Sequence, residues 1–327
     1  MSSALFSPTA ANPDYRYVVF ADEMRGPRRA ALNLAPFGAA APEPAPARAP
    51  GPLGPAQRAF ARWLLAKAGL DVRDYREETV ARRLPACLRM LRVERVDQAR
   101  ALIEAEPRRL QTALDAMLVG VTSFFRDRHV FAALRDAVVP MIARGRLNLR
   151  VWCAACSNGS EVYSLAMLLT HCGWLHRTHL LGTDCRPGAI AEASAGLVDD
   201  AALRALPREW AEQFFTRANA AGIGGASGAW HVRPALRTML HWRVGDVLRE
   251  AEPGPWDLIF CRNLAMYLRP EAVARLWRRL YAALRPGGVL VLGKAERPCG
   301  VPLACLHPCI FQRDLEPGAA GYDVGVN

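Results

Sequence analysis

Apolar and polar positions change period twice along this chain. From Gln57 the spacing is helical: QRAFARWLLAKAGL sets Phe60, Trp63, Leu64 and Ala68 on one stripe, with Gly69 as a C′ residue. YREETVARRLPACLRMLRV carries Val80, Leu84, Leu88 and Leu91 among Arg82, Arg83, Arg89 and Arg92, and Pro85 should kink or restart that helix. VDQARALIEAE and RRLQTALDAML add two more amphipathic segments. Residues 57–118 therefore read as a small all-α domain, and 119–146 as a linker with a connecting helix.

Beyond Arg146 the period becomes that of strands alternating with helices. Apolar runs at 147–152, 179–184, 240–247, 256–261 and 288–293 predict five strands. CAACSNGSEVYSLAMLL, PGAIAEASAG and 271–284 supply the helices between them. Such alternation predicts an α/β fold with a mainly parallel, doubly wound sheet. Residues 197–239 break the rhythm and read as a small inserted subdomain, giving a sheet domain over 147–314.

Before Gln57 the chain is of another kind. Residues 36–56 are almost wholly Pro, Ala and Gly, too poor in apolar surface to order, so 1–56 reads as a disordered extension ending in a Pro/Ala-rich linker. One apolar run, Tyr17–Phe20, suits an isolated strand or a docking peptide. Residues 315–327 read as a flexible tail.

Composition narrows the function classes. Net charge is +11, and of 42 cations only Lys67 and Lys294 are lysines, a surplus that favours acidic partners. On the helical domain an arginine run serves equally as a solvated face or a carboxylate-binding surface. No apolar run is long enough to span a membrane and the N-terminus lacks the order of a secretory signal, so a cytoplasmic protein without membrane insertion is expected. The nine cysteines then read as reduced thiols. Cys153-x-x-Cys156 has no second pair at metal-binding spacing and reads as core.

Polar residues gather at strand ends, where open α/β sheets bind ligands. Ser157-Asn158-Gly159-Ser160-Glu161 opens a helix with small residues that let backbone amides approach a ligand. It is neither a P-loop nor the GxGxxG of dinucleotide folds, and the Glu161 carboxylate suits an ammonium or sulfonium ligand better than pyrophosphate. Asp184 ends the second strand, where an acid accepts from a ribose diol, and Asp246 ends the third. The stretch WDLIFCRNLAMY (256–267) delivers Cys261-Arg262-Asn263 from the fourth strand, with Tyr267 one turn on, facing the same crevice as Asn263 if that turn is helical. Each alone is also an ordinary turn former.

Val121-Thr122-Ser123-Phe124-Phe125-Arg126, the turn from Ala155 to Ser164, and Phe260-Cys261-Arg262-Asn263 with Tyr267 together resemble the CheR-type chemoreceptor methyltransferases over about 57–313. The resemblance implies a Rossmann-like S-adenosylmethionine (SAM) domain with an inserted β-subdomain, and methyl transfer to receptor glutamates yielding S-adenosylhomocysteine (SAH), without a metal. It implies that Thr122 and Arg126 reach the methionine end of SAM, Glu161 its ammonium and Asp184 its ribose. Asp246 then lies near the adenine, with Gly159, Val247, Asn263 and Leu264 as further cofactor contacts. Tyr267 and Arg126 are the catalytic candidates.

Five positions depart from the family pattern: Gly120 for Asn, Ser160 and Val162 within TGEEPYS, Arg186 for an acid, and Lys294 for the His of a GHSE-like end. The implied partner is the cytoplasmic helices of a chemoreceptor, docked on the arginine-rich helices, with the enzyme a monomer. Base methyltransferases carry (N/D)PP(Y/F) where this chain has CRNL, which argues against nucleic acid. A SAM-responsive module without activity, and a methyltransferase for another substrate, stay open.

Overall fold

The computed structural model describes residues 51–315 apart from 119, 121, 205 and 218–228. The expected N-terminal extension up to residue 50, its Tyr17–Phe20 run and nearly all of the tail lie outside the described residues.

Four helices come first: α1 (Pro55–Lys67), α2 (Glu77–Leu91), α3 (Val96–Ala105) and α4 (Arg109–Met117). Pro55 opens α1 at a position whose N–H needs no partner, and Gly69 closes it in the left-handed region at φ +73°. Phe60, Ala61, Leu64 and Leu65 are its buried face, while Trp63 stays half-exposed under the cations of Lys67 and Arg100. α2 runs through Pro85 without restarting. A proline costs a helix one hydrogen bond and some crowding, and the face of α2 packed against α4 holds it together.

The chain then forms α5 (Arg128–Ala133), a π turn over Leu134–Val138, and α6 (Val139–Ala143). β1 (Leu149–Ala154), α7 (Ser160–His171), β2 (Thr178–Asp184) and α8 (Pro187–Ala195) make the first crossover. The insertion follows, with β3 (Leu197–Asp199), α9 (Asp200–Leu203), α10 (Arg208–Phe214), β4 (Phe215–Arg217), β5 (Ala229–Val232) and α11 (Pro234–Arg237). Its strands form a separate antiparallel sheet in the order β3-β5-β4. The main sheet resumes with β6 (Leu240–Val244), β7 (Trp256–Phe260), α12 (Pro270–Ala283), β8 (Leu284–Val291), β9 (Leu303–His307) and β10 (Ile310–Arg313).

The main sheet has seven strands in the order β6-β2-β1-β7-β8-β10-β9. The five expected strands are β1, β2, β6, β7 and β8, and all their pairings are parallel. The unforeseen pair, β9 and β10, is antiparallel and closes the far edge. Strand alternation splits the core. Trp152, Ala154, Ile259 and Leu290 face α1–α4 and α12, whereas Val151, Cys153, Leu258 and Phe260 face α5–α7 and the insertion. From β1 the chain crosses to β2 on one side and returns to β7 on the other. That reversal opens a crevice at the carboxyl ends of β1 and β7.

Candidate functional site

The turn leaving β1 is built for close approach. Ala155, Ser157 and Gly159 all take positive φ (55°, 53° and 83°). Gly159 has to be glycine: a Cβ there would lie 2.7 Å from the Trp242 ring and 2.9 Å from Ala193. Asn158 Oδ1 accepts from the Ser160 amide (3.2 Å) and hydroxyl (2.8 Å), capping the first turn of α7. Strain collects here. Of seven non-glycine residues at positive φ among the described residues, Ala155, Ser157 and Asn263 line the crevice, and Phe125 and Asp127 flank Arg126, which also lines it.

Arg262 is the centre of the arrangement. Its side chain is 1% exposed, which requires that every N–H find a partner. Nη1 donates to Glu161 Oε1 (2.5 Å) and to the carbonyl of Arg126 (3.1 Å), and Nη2 to Asp127 Oδ2 (2.5 Å). Lys294 Nζ lies 2.7 Å from the other Asp127 oxygen. Two cations and two carboxylates thus alternate in one series, Glu161, Arg262, Asp127 and Lys294, of which Glu161 and Arg262 line the crevice. Burial works against the charge on Arg262, but Glu161 and Asp127 hold its pKa above the usual value. Burial also opposes the Asp127 charge, and Lys294 and Arg262 nevertheless hold that carboxyl low. The loop carrying Asp127 is pinned to α7, because the Phe125 amide donates to Ser164 Oγ (2.9 Å). Phe125 itself packs edge-on against Phe131 and Trp210.

The loop after β7 is held by Glu296, a buried carboxylate that accepts three amides: Gly293 (2.7 Å), Asn263 (2.8 Å) and Ala265 (2.7 Å). A 3₁₀ turn over Ala265–Tyr267 then brings Tyr267 to the same crevice as Asn263. Burial raises the Tyr267 hydroxyl pKa while the charges of Arg126, Arg83 and Arg82 pull it down; the net direction is up, so the phenol stays protonated at neutral pH. This loop is strapped to the helical region. The Arg76 amide donates to the Tyr267 carbonyl (3.0 Å), the Arg269 amide to the Asp74 carbonyl (2.8 Å), and Arg275 pairs with Asp74.

Thr122, Arg126, Glu161, Asp184, Asn263, Leu264 and Tyr267 all line one crevice enclosing about 870 Å³ of empty space, its open mouth included. Three expected contacts are not in its wall. A Cβ on Gly159 would point at Trp242, Val247 is buried in the core, and Asp246, close enough to Tyr75 and Cys185 to raise the pKa of both, accepts from the Leu248 amide (2.9 Å). Ser157, Arg186 and Arg262, which the sequence named without assigning them ligand contacts, also line the crevice; sequence reasoning missed Tyr75 and Thr79, which line it too, and Glu296, which holds its rim. The Thr79 hydroxyl is buried there without a hydrogen-bond partner. Cys153 and Cys156 are free and wholly buried, and burial pushes both thiols up, as core residues require.

Residues 120–302, just over half the chain, match the CheR methyltransferase SAM-binding domain. The chain belongs to the CheR methyltransferase family. Among its relatives, chemotaxis protein methyltransferase 1 of Pseudomonas aeruginosa is 34% identical over 202 residues, spanning 59% of this chain and 71% of that protein. The chemotaxis protein methyltransferase of Vibrio parahaemolyticus is 29% identical over 253 residues, spanning 75% and 90%. An uncharacterized 104.1 kDa protein of Rhodobacter capsulatus is 34% identical over 259 residues, 76% of this chain but only 26% of its own length. This is accordingly a SAM-dependent methyltransferase with a Rossmann-like fold. Among the described residues no helix is long and apolar enough to cross a membrane.

Proposed function

We propose that the protein transfers the methyl group of SAM to glutamate side chains of chemoreceptors, giving methyl esters and SAH. The observation that carries this reading is the setting of Tyr267, a protonated phenol in the crevice wall with Arg82, Arg83 and Arg126 near enough to act on its pKa. A carboxylate entering such a rim meets positive charge and one neutral hydrogen-bond donor.

The crevice suits SAM in its donor set. Glu161 supplies a carboxylate for an ammonium, and Thr79 an unpartnered hydroxyl for a polar edge of the ligand. When bound, SAM supplies a methyl carbon already activated by its sulfonium. The work left to the chain is placement. A glutamate is ionised at neutral pH and needs no general base, so an oxygen lone pair forms the O–CH3 bond while the C–S pair leaves with sulfur. Arg126 orients the incoming carboxylate or the carboxylate of the cofactor. Tyr267 hydrogen-bonds the acceptor or sets its ring against the sulfonium. Tyr75, Met117 and Leu118 bring apolar surface that keeps water from the reacting atoms.

The receptor would dock across α2, whose arginines continue from the crevice rim, with the enzyme working as a monomer. Incubation with labelled SAM and receptor-bearing membranes should yield base-labile methyl label, and both Tyr267→Phe and Arg126→Ala should lower its rate. SAM binding with no base-labile label on any receptor would replace this reading with that of a SAM-responsive module.

A further inference from the structure

Asp184 is already heavily engaged before any ligand arrives. It is 4% exposed, and its Oδ1 accepts from both the amide (3.0 Å) and Nε (3.1 Å) of Arg186, while Oδ2 accepts from the Ser157 amide (2.9 Å). The Cys185 thiol also contacts Oδ1 (3.9 Å), so of the carboxylate's about four lone-pair directions the one left for a ligand is the second on Oδ2. A ribose diol brings two hydroxyls. The second must act as acceptor, and the donor beside Asp184 in the crevice wall is the Arg186 guanidinium.

That guanidinium is fixed from three directions. Nε holds Asp184, Nη2 donates to Ser157 Oγ (3.1 Å), and Nη1 stands 3.5 Å from Asp115 on α4. Five N–H donors exceed these engagements, which leaves at least one for a ligand. Ser157 Oγ in turn donates to the Gly120 carbonyl (2.9 Å). Position 120 is where the arrangement is most constrained. A Cβ there would lie 2.6 and 2.8 Å from the two terminal nitrogens of Arg186 and 3.0 Å from Ser157 Oγ. Any side chain at 120 would force the guanidinium to shift.

We propose that Arg186 is a cofactor-binding residue, donating to one hydroxyl of the ribose diol while Asp184 accepts from the other, and that Gly120 is the vacant position that admits it. The inference rests on the reading that this crevice holds SAM. It assigns the diol a mixed acid–guanidinium partner in place of a lone carboxylate. It also makes Gly120 and Arg186 a single functional unit.

The test is titration calorimetry of the full chain with SAH and with its 2′-deoxy and 3′-deoxy forms. Arg186→Ala should weaken SAH by about tenfold or more, the scale of one lost charge-assisted hydrogen bond. For one of the two deoxy forms the same substitution should cost almost nothing, because the hydroxyl it served is gone. Gly120→Ala should weaken SAH comparably, and the double variant should bind no worse than Arg186→Ala alone. If Arg186→Ala unfolds, Gly120→Ala and Arg186→Lys carry the comparison, with lysine retaining part of the affinity. Unchanged SAH affinity, equal losses for all three ligands, or additive effects of the two substitutions would overturn the proposal. A wild-type chain that binds none of the three would instead remove SAM from the crevice, and the proposal with it.

Discussion

Arg262 and Glu161 stand 101 residues apart in the chain and 2.5 Å apart in space, inside a crevice where neither can be left alone. Removing the cation would leave Glu161 without its guanidinium partner and Asp127 with Lys294 alone. Arg262→Met should therefore destabilise the fold by about 3–5 kcal/mol, the usual consequence of taking one partner from a buried ion pair. Urea denaturation reads this directly, and a loss below about 1 kcal/mol would mean that solvent compensates the charges.

Glu296 makes a second, quieter test. Its two oxygens accept three backbone amides, so Glu296→Gln must turn an NH2 group toward at least one N–H. The expected cost is about 1–3 kcal/mol. Because two of those amides belong to Asn263 and Ala265, SAH affinity should fall with it; stability lost with affinity intact would show that Glu296 braces the loop without placing Asn263.

Asp246 is predicted to be a liability at neutral pH. Burial raises its carboxyl pKa, with the Leu248 amide and Arg249 offsetting only part of that. A folded-state pKa above the unfolded value means the native state binds the proton more tightly, so stability is lost as pH rises through the folded value. Asp246→Asn keeps an acceptor for Leu248 and removes the charge. It should raise the urea midpoint at neutral pH, with a gain that shrinks as the pH falls toward the ordinary carboxylate range. A gain that is independent of pH would falsify the electrostatic explanation.

The Thr79 hydroxyl predicts opposite effects on stability and binding. Thr79→Val deletes a buried group that has no partner, so the ligand-free protein should gain about 1 kcal/mol. Affinity for SAH should drop if that hydroxyl finds its partner on the ligand. Thermal melts with and without SAH separate the two effects, and equal gains in both would make the hydroxyl a packing defect only.

The strands that carry the site could be read in the sequence because each is an apolar run ending in polar residues, and Asn263 with Tyr267 could be placed together from one turn of spacing. Glu161 and Asp184 were legible for the same reason. Arg262 was in view within CRN, yet nothing local shows that its partners are Glu161 and Asp127, since the pairing exists only once β1 and β7 lie side by side. Glu296 escaped because a carboxylate accepting backbone amides leaves no periodic trace. Asp246 and Gly159 were assigned to the ligand by position at strand and helix ends, and neither lines the crevice. Strands β9 and β10 were missed because four or five residues beside prolines carry too little pattern. Pro85 does not end α2, whose face packs against α4.

The strap joining Asp74, Tyr75 and Arg76 to Tyr267, Leu268 and Arg269 has a mechanical consequence. Besides the two amide bonds, the guanidinium groups of Arg76 and Arg269 each grip a carbonyl on the opposite segment, at 2.8 and 3.1 Å. The strap leads directly into α2 on one side and into α12 on the other. Tyr267 therefore cannot swing away while α2 stays seated. The two open as one body, and the amide protons of Arg76 and Arg269 should exchange with solvent in step. Any load on α2 is carried, through four hydrogen bonds, to Tyr267 in the crevice wall.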